Sequence, residues 1–420
     1  MLNLHHASGA EIQRLTSQGE LLFDYRSRFR VWRKDRQWLC HDSLSPGTAK
    51  LLDGHSISQQ ASFSRHALYA ALVPPCIASH PLPVKDLPIT EEDNHFWQYP
   101  ALTERRAYEN HARLQRSEAS ADRGNRVHTY LGLPWATYID RKRIPDEVKR
   151  LFGLRVHGYH SLAGYWGIEL AVHTVCQHTH WYRLLPRWAE MEVTDIHLSH
   201  CETQRSAAQA AEFGIRVHSW PLVPVNMIHQ ERRKGLEFGK PIADKCFLAS
   251  FIGAHMPHYR SEVRLRLREE AIWDGGGDLR VEVGDEWHFN ALVFQQQVQG
   301  IPLSQAQTSV EQSATLIYNQ TLSDSVFSLC PEGAGPNTLR LWESLAVGAI
   351  PVVIVDGWQW PEPPGEGLSW EDCVLRVGRD EMGGLFDRLR RMRREQPERL
   401  AAMQSAGMNL HQRFMGLRCF

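Results

Sequence analysis

The sequence predicts an α/β protein: two doubly wound, Rossmann-like domains facing a central cleft, behind an N-terminal extension of different character. Three observations carry this. Thr194–Ser199, Glu202–Phe213 and Ile215–Val223 read as strand, helix and strand, with Gly214 stopping the helix, which is a βαβ unit of a parallel sheet. A charged connector, Gln230–Lys240, then reads as an interdomain hinge. From Phe247 the same alternation restarts.

Residues 1–85 form the extension, with one β-rich piece at Glu20–His41 and a Pro-rich connector at His80–Pro88. Residues 86–235 form the first domain, in which Val127–Ile139 and His173–Gln177 are further expected strands. Residues 236–400 form the second. Its strands are expected at Phe247–Gly253, Asp278–Val283, Val326–Cys330 and Ile350–Val355. Its helices are expected at Tyr259–Ile272, Leu303–Asn319, Asn337–Val347 and Glu381–Arg394, and residues 401–420 follow as a tail or helix.

A chain of 420 residues is expected to hold two or three folded units at ~100–200 residues each. Its 42% hydrophobic and 23% charged residues exclude disorder as the main state. Lys and Arg number 47 against 48 Asp and Glu, so there is no basic field for nucleic acid. Eight scattered cysteines without a CxxC pair point to a reducing compartment. With no signal-peptide pattern and no apolar run near the ~20 residues of a membrane span, a soluble cytoplasmic protein is expected. The Arg-rich run Phe386–Arg394 leaves peripheral contact with the inner membrane face open, although such runs more often only solvate a helix. The 22 His and 14 Trp suit aromatic-lined polar clefts, and many lie between His157 and Trp220.

The segment richest in chemistry is Ser325–Gly357, SVFSLCPEGAGPNTLRLWESLAVGAIPVVIVDG. A strand ending at Cys330 is followed by a Pro/Gly loop and a helix beginning near Asn337. Gly333 and Gly335 permit close backbone approach, and free N–H groups at the helix N-terminus can hold a phosphate. Asn337 is a suitable cap. Asn337, Arg340 and Glu343, spaced by three, share a polar face; Arg suits a diphosphate and Glu a pair of ribose hydroxyls. The ordinary alternative is an Arg–Glu surface pair beside a structural loop. Neither GK[ST] nor GxGxxG is present.

This stretch resembles the exostosin-type (GT47-like) glycosyltransferase signature: strand, P-x-G loop, R-x-x-E helix, then G-x-I-P-V. Phe247–Leu267 is similar to the family's strand ending in Gly with a following R-x-x-L helix, and Tyr318 fits as well. The likeness covers roughly residues 245–400. It implies a GT-B fold, a nucleotide-sugar donor in the C-terminal domain and no required metal or other cofactor. Carried over by position, Gly333, Gly335, Asn337, Arg340 and Glu343 line the donor site, and Arg260 and Arg264 approach the phosphates. Glu332 departs from the pattern, since the family often has a basic or small residue there. The absence of a membrane anchor points to a bacterial cytosolic relative building capsule or lipopolysaccharide.

Transfer also needs a base or nucleophile from the first domain. Candidates at expected strand ends are His178 and His180, His200 and Glu202, and Asp140; His200 and Glu202 follow the best-defined strand and are favoured, with His180 beside them. A metal reading of His178 and His180 is weak, because alternating strand positions face opposite ways and no third ligand is fixed. The expected function is transfer of a sugar, UDP-linked by resemblance, to a growing glycan or glycolipid. A CMP-Kdo-type transferase is the runner-up. A non-catalytic sugar- or nucleotide-binding partner protein, supported by Glu332, and a metal hydrolase resting on His178 and His180 are the rivals from other classes.

Overall fold

A computed structural model of the protein describes residues 3–25, 29–34, 37–42, 49–53, 73–74, 76–78, 100–114, 126–142, 144, 146–287, 289–299 and 301–420. The Pro-rich connector at 80–88 lies outside them.

The N-terminal extension is more regular than its sequence suggests. Strands β1 (Asn3–His6), β2 (Glu20–Tyr25), β3 (Phe29–Lys34), β4 (Gln37–Asp42) and β5 (Ala49–Asp53) form an antiparallel sheet in the order β1-β5-β4-β3-β2. Helix α1 (Gly9–Gln18) starts on a Ser8–Glu11 capping box. Only β2, β3 and part of β4 fall in the β-rich piece. The pairing of β1 with β5, Asn3 opposite Asp53, is long-range and leaves no local signal.

The first lobe is a parallel five-stranded sheet of β6 (Cys76–Ala78), β7 (Arg126–Gly132), β8 (Glu169–Cys176), β9 (Asp195–Leu198) and β10 (Arg216–Ser219), ordered β10-β9-β8-β7-β6. Edge strand β6 lies upstream of residue 86, so this sheet draws on the N-terminal segment. Its helices are α2 (Thr103–Ala112), α3 (Trp135–Asp140), α4 (Asp146–Trp166), α5 (Leu185–Glu190) and α6 (Arg205–Ala211). The expected strand Val127–Ile139 is corrected: it ends at Gly132, and Trp135–Asp140 is helical. Pro134 occupies the helix N-cap, and the buried Glu104 carboxylate accepts the Ala136 N–H at 3.1 and 3.2 Å. A tertiary partner thereby satisfies a helix-start donor in an aromatic run that reads locally as β.

The second lobe holds β11 (Phe247–Ala254), α7 (Val263–Asp274), β12 (Leu279–Gly284), a π-helical turn at Ala291–Val298, α8 (Gln305–Ser323), β13 (Ser325–Pro331), α9 (Leu339–Val347), β14 (Ile350–Ile354), β15 (Leu375–Val377) and α10 (Leu385–Glu395). Its sheet is wholly parallel in the order β12-β11-β13-β14-β15. The order reverses between β11 and β13, and ligands of such sheets bind outside the strand ends at that switch point. Gly214 and Gly348, at φ +69° and +79°, end α6 and α9 as expected.

Two Rossmann-like lobes therefore face one cleft, the arrangement the resemblance implies. Short contacts tie them together: Thr203 N–H donates to Gly357 O (2.9 Å), Gln359 N–H to Cys201 O (3.0 Å) and Asn337 Nδ2 to Ser199 O (3.0 Å). The expected hinge at 230–240 is pinned to α8, whose Asn319 donates to the carbonyls of Arg232 and Lys234. Helix α11 (Pro397–Met415) packs Leu410 and Phe414 against Trp342, and the residues after it return to the first lobe. There Asn110 Nδ2 donates to Leu417 O and Cys419 N–H to His111 Nε2. Among the described residues no helix is long and apolar enough to cross a membrane.

Candidate active site

A cavity of about 380 Å³ lies between the lobes at the β11/β13 switch point. From the second lobe, Arg264, Gly333, Gly335, Asn337, Arg340 and Glu343 line it. From the first, Asp140, Gln177, His178 and His200 do.

The two glycines are needed for close approach. A Cβ on Gly333 would stand 2.7 Å from the Arg264 guanidinium, and one on Gly335 would stand 2.2 Å from His200 Nδ1. The loop thus rests on a cation from its own lobe and an imidazole from the other. Arg264 is fixed by the carbonyls of Glu332 (3.0 Å) and Ala254 (2.6 Å) and by the ring of Tyr259. Burial lowers its pKa to about 10, so it remains a cation at neutral pH. Arg340 lies over Phe251 and Tyr318 and donates to Ile252 O. Both Glu343 oxygens are engaged, one by Asn226 Nδ2 at 2.8 Å and one by the Tyr318 hydroxyl; burial raises its pKa, with those bonds pulling the other way. Arg340 and Glu343 are not ion-paired with each other, which removes the surface-pair alternative.

Three expectations for this side are corrected. Asn337 does not cap α9: the N-cap is Thr338, while Asn337 joins Ser199 O to the Trp342 indole N–H. Arg260 does not reach the cavity, because Glu332 (3.0 Å) and Glu202 hold its guanidinium. Glu332 itself is fully buried and held by Arg260, Ser261 Oγ (2.6 Å) and Arg379 (3.3 Å). Its charge is compensated beneath the loop and does not oppose a phosphate.

The first lobe departs further from expectation. Glu202 is taken up by Arg260 and Arg205 and bridges to Trp358, outside the cavity lining. His200 lines the cavity, but burial lowers its pKa to about 3, so it is neutral and a poor base. Its Nδ1 has no hydrogen-bond partner. His180, also a favoured candidate, does not line the cavity; partial burial lowers its pKa, as do His178 and Arg183. The pair the fold does assemble is Asp140 and His178. His178 Nδ1 accepts the His180 N–H at 2.9 Å, which leaves the proton on Nε2, 3.0 Å from Asp140 Oδ1.

Glu104, which sequence reasoning missed, holds that pair together. It is fully buried and accepts both the Ala136 N–H at the start of α3 and the Gln177 N–H (3.0 Å) beside His178. Burial pushes its pKa up to about 8. Gln177 locks the same junction by accepting the Thr103 N–H and donating to Ala101 O. No local pattern marks Glu104, because its partners lie far along the chain.

The histidines concentrated in this half are largely structural. His128 Nδ1 lies 2.8 Å from His173 Nε2, and His173 Nδ1 lies 3.1 Å from His197 Nε2. His197 stacks on His218, which meets Asp195 at 2.8 Å. This ladder crosses adjacent strands away from the cavity, under Phe420. The rings of His178 and His180 are 5.2 Å apart, and among the described residues no group of three His, Cys, Asp or Glu is placed to hold a metal.

The donor-side geometry, a Gly loop at the switch point followed by an Arg–Glu helix, can be set against known proteins. Residues 189–391 match the exostosin GT47 domain model. The exostosin-type segment takes in the whole donor-side constellation together with His200 and Glu202, and leaves out Glu104, Asp140 and His178. Curated relatives are similar over a short stretch. A probable glucuronoxylan glucuronosyltransferase of Arabidopsis thaliana is 41% identical over 70 residues, 17% of this chain and 15% of the relative. A probable glucuronosyltransferase of Oryza sativa subsp. japonica is 38% identical over 68 residues, 16% of each. The chain thus spans about one-sixth of the length of these relatives. Among solved structures, sucrose-phosphate synthase from Thermosynechococcus elongatus aligns at 12% identity over 64% of this chain and 75% of that chain, TM-score 0.30. A UDP-forming α,α-trehalose-phosphate synthase from Burkholderia vietnamiensis aligns at 8% over 66% and 77%, TM-score 0.30.

Proposed function

We propose that this protein is a glycosyltransferase that moves a sugar from a nucleotide-sugar donor to a hydroxyl of a glycan or glycolipid acceptor. The observation that carries it is the single cavity with Arg264, Arg340, Glu343 and the Gly333–Gly335 loop on one wall and Asp140–His178 on the other. The donor diphosphate lies against the loop and the start of α9, where helix N–H groups and two cations meet its charge. Glu343, oriented by Tyr318 and Asn226, takes the ribose hydroxyls. A UDP-sugar is the favoured donor, and a glucuronosyl group, the one the similar plant proteins are named for, is one sugar to test.

In the transfer step the acceptor oxygen forms a bond to the anomeric carbon, and the bond from that carbon to the diphosphate oxygen breaks. The nucleoside diphosphate leaves with the electron pair. The acceptor proton passes to the Asp140 carboxylate, held in place by the His178 N–H. No metal is called on, so activity should survive a chelator. The acceptor belongs to a surface polysaccharide or glycolipid such as capsule or lipopolysaccharide, made on the cytoplasmic side.

Thermal-shift titration with UDP, GDP and CMP tests the donor. Stabilisation by UDP that is lost in Arg340→Ala and Glu343→Ala supports the reading. Stabilisation by CMP alone would favour the Kdo-type alternative. Sugar transfer undiminished in both variants would remove the donor site from this cavity.

A further inference from the structure

A second cavity, of about 390 Å³, adjoins the cleft on the first lobe. The same two chain segments wall both spaces. Asp140 faces the cleft, while Tyr138, Ile139 and Lys142 around it face the second cavity. His178 and Thr179 face the cleft, while Arg183, Leu184 and Arg187 just beyond them face the second cavity. Tyr138, Ile139, Ile144 and Leu184 give it an apolar, partly aromatic floor.

Its rim is cationic. Lys142, Arg183 and Arg187 line it against one carboxylate, Asp146. Arg187 is paired with Glu190 at 2.7 Å. Lys142 and Arg183 have no side-chain hydrogen bond or ion pair with any described residue. Two uncompensated cations beside an apolar lining that includes the Tyr138 ring suit a sugar ring that carries an anionic group.

We infer that this cavity is an acceptor subsite for an anionic sugar residue, one bearing a carboxylate or a phosphate, next to the residue whose hydroxyl is glycosylated. The inference rests on the glycosyltransferase reading for its orientation, since Asp140 marks where the accepting hydroxyl lies. The subsite falls outside the exostosin-type segment at 189–391, so it belongs to this chain's own first lobe.

The test uses the full chain and three probes: trigalacturonate, its neutral methyl ester, and galactose 1-phosphate. Binding is followed by titration calorimetry at low and high salt. Trigalacturonate should bind more tightly than its ester, and high salt should erase the difference. The double variant Lys142→Gln, Arg183→Gln should weaken trigalacturonate binding about three- to tenfold, the size expected for two partly exposed ion pairs, and leave the ester unchanged. Galactose 1-phosphate binding that responds to the same variant assigns the site to phosphorylated as well as uronic acid acceptors. Equal binding of the acid and its ester, or a double variant indistinguishable from the parent, overturns the inference. UDP binding in the same samples separates the two readings. If UDP binds and the acidic probe shows no preference, only the subsite fails. If UDP does not bind but the acidic probe does so through Lys142 and Arg183, the donor reading fails and the anionic subsite stands.

Discussion

The two walls of the cleft are built on different principles. The donor wall comes mostly from one continuous stretch, β13, its loop and α9, so all its functional groups but Arg264, which α7 supplies, are set by local spacing. The acceptor wall is gathered from α2, α3 and the chain after β8, and a buried carboxylate, Glu104, holds those pieces in register. A wall of the first kind can be read as a motif. A wall of the second kind exists only once the fold has formed, and changes far from the reacting atoms can dismantle it.

The sharpest way to break this contrast is to remove one group from each wall. Asp140→Asn keeps the volume and removes the base, so transfer should fall about 10²–10⁴-fold while UDP binding persists. Steady-state rates alongside UDP thermal shifts would check this; a modest rate loss would move the base elsewhere in the cleft. Arg340→Ala should do the reverse and lose UDP binding outright.

The contact between the walls comes next. Gly335→Ala places a methyl against His200, and the expected cost is about 1–3 kcal/mol of stability. Adding His200→Ala should recover part of it, so a double-mutant cycle by denaturant unfolding should be non-additive. Additive losses would mean that loop and imidazole do not share that space in solution.

A smaller effect tests the register of the acceptor wall. Glu104→Gln should lower kcat through misplacement of Asp140 and His178 while sparing UDP affinity. The wild-type carboxyl titrates near pH 8 when folded and near its ordinary low value when unfolded. The folded state therefore holds the extra proton, and this group's stabilisation is lost as pH rises towards 8. The Gln variant should flatten that part of the stability profile, and an unchanged profile would show that Glu104 is not the titrating group.

The smallest effect concerns acid. Burial lowers the pKa values of His173 and His200 to about 3 and those of His111 and His411 to about 4. Unfolded imidazoles take up protons from about pH 6.5, so the unfolded state binds more protons between roughly pH 6.5 and 4. Stability is then full above that window and falls as pH falls through it. Three of these four histidines are in the first lobe, so amide exchange at mildly acid pH should rise there before it rises in the second.

The amino-acid sequence by itself determined the donor half, with the Gly348 helix stop, the parallel alternation after Phe247 and the Gly333, Gly335, Arg340 and Glu343 constellation, and in the first lobe the Gly214 stop. Each depends on spacings of a few residues, which backbone geometry converts directly into shared faces and turns. Where one residue's use depended on a distant partner, only the tertiary structure decided. Glu332 and Arg260 neutralise each other beneath the loop, and Asn337 ties two lobes where it had looked like a cap. Glu202 became part of the seam between the lobes. The run Trp135–Asp140 is a helix whose Ala136 N–H is met by Glu104 from a distant segment. Asp140 and His178 became a pair because strand order and a buried carboxylate bring them within hydrogen-bond reach. Burial and long-range hydrogen bonding set those outcomes, and neither is a property of neighbours in sequence.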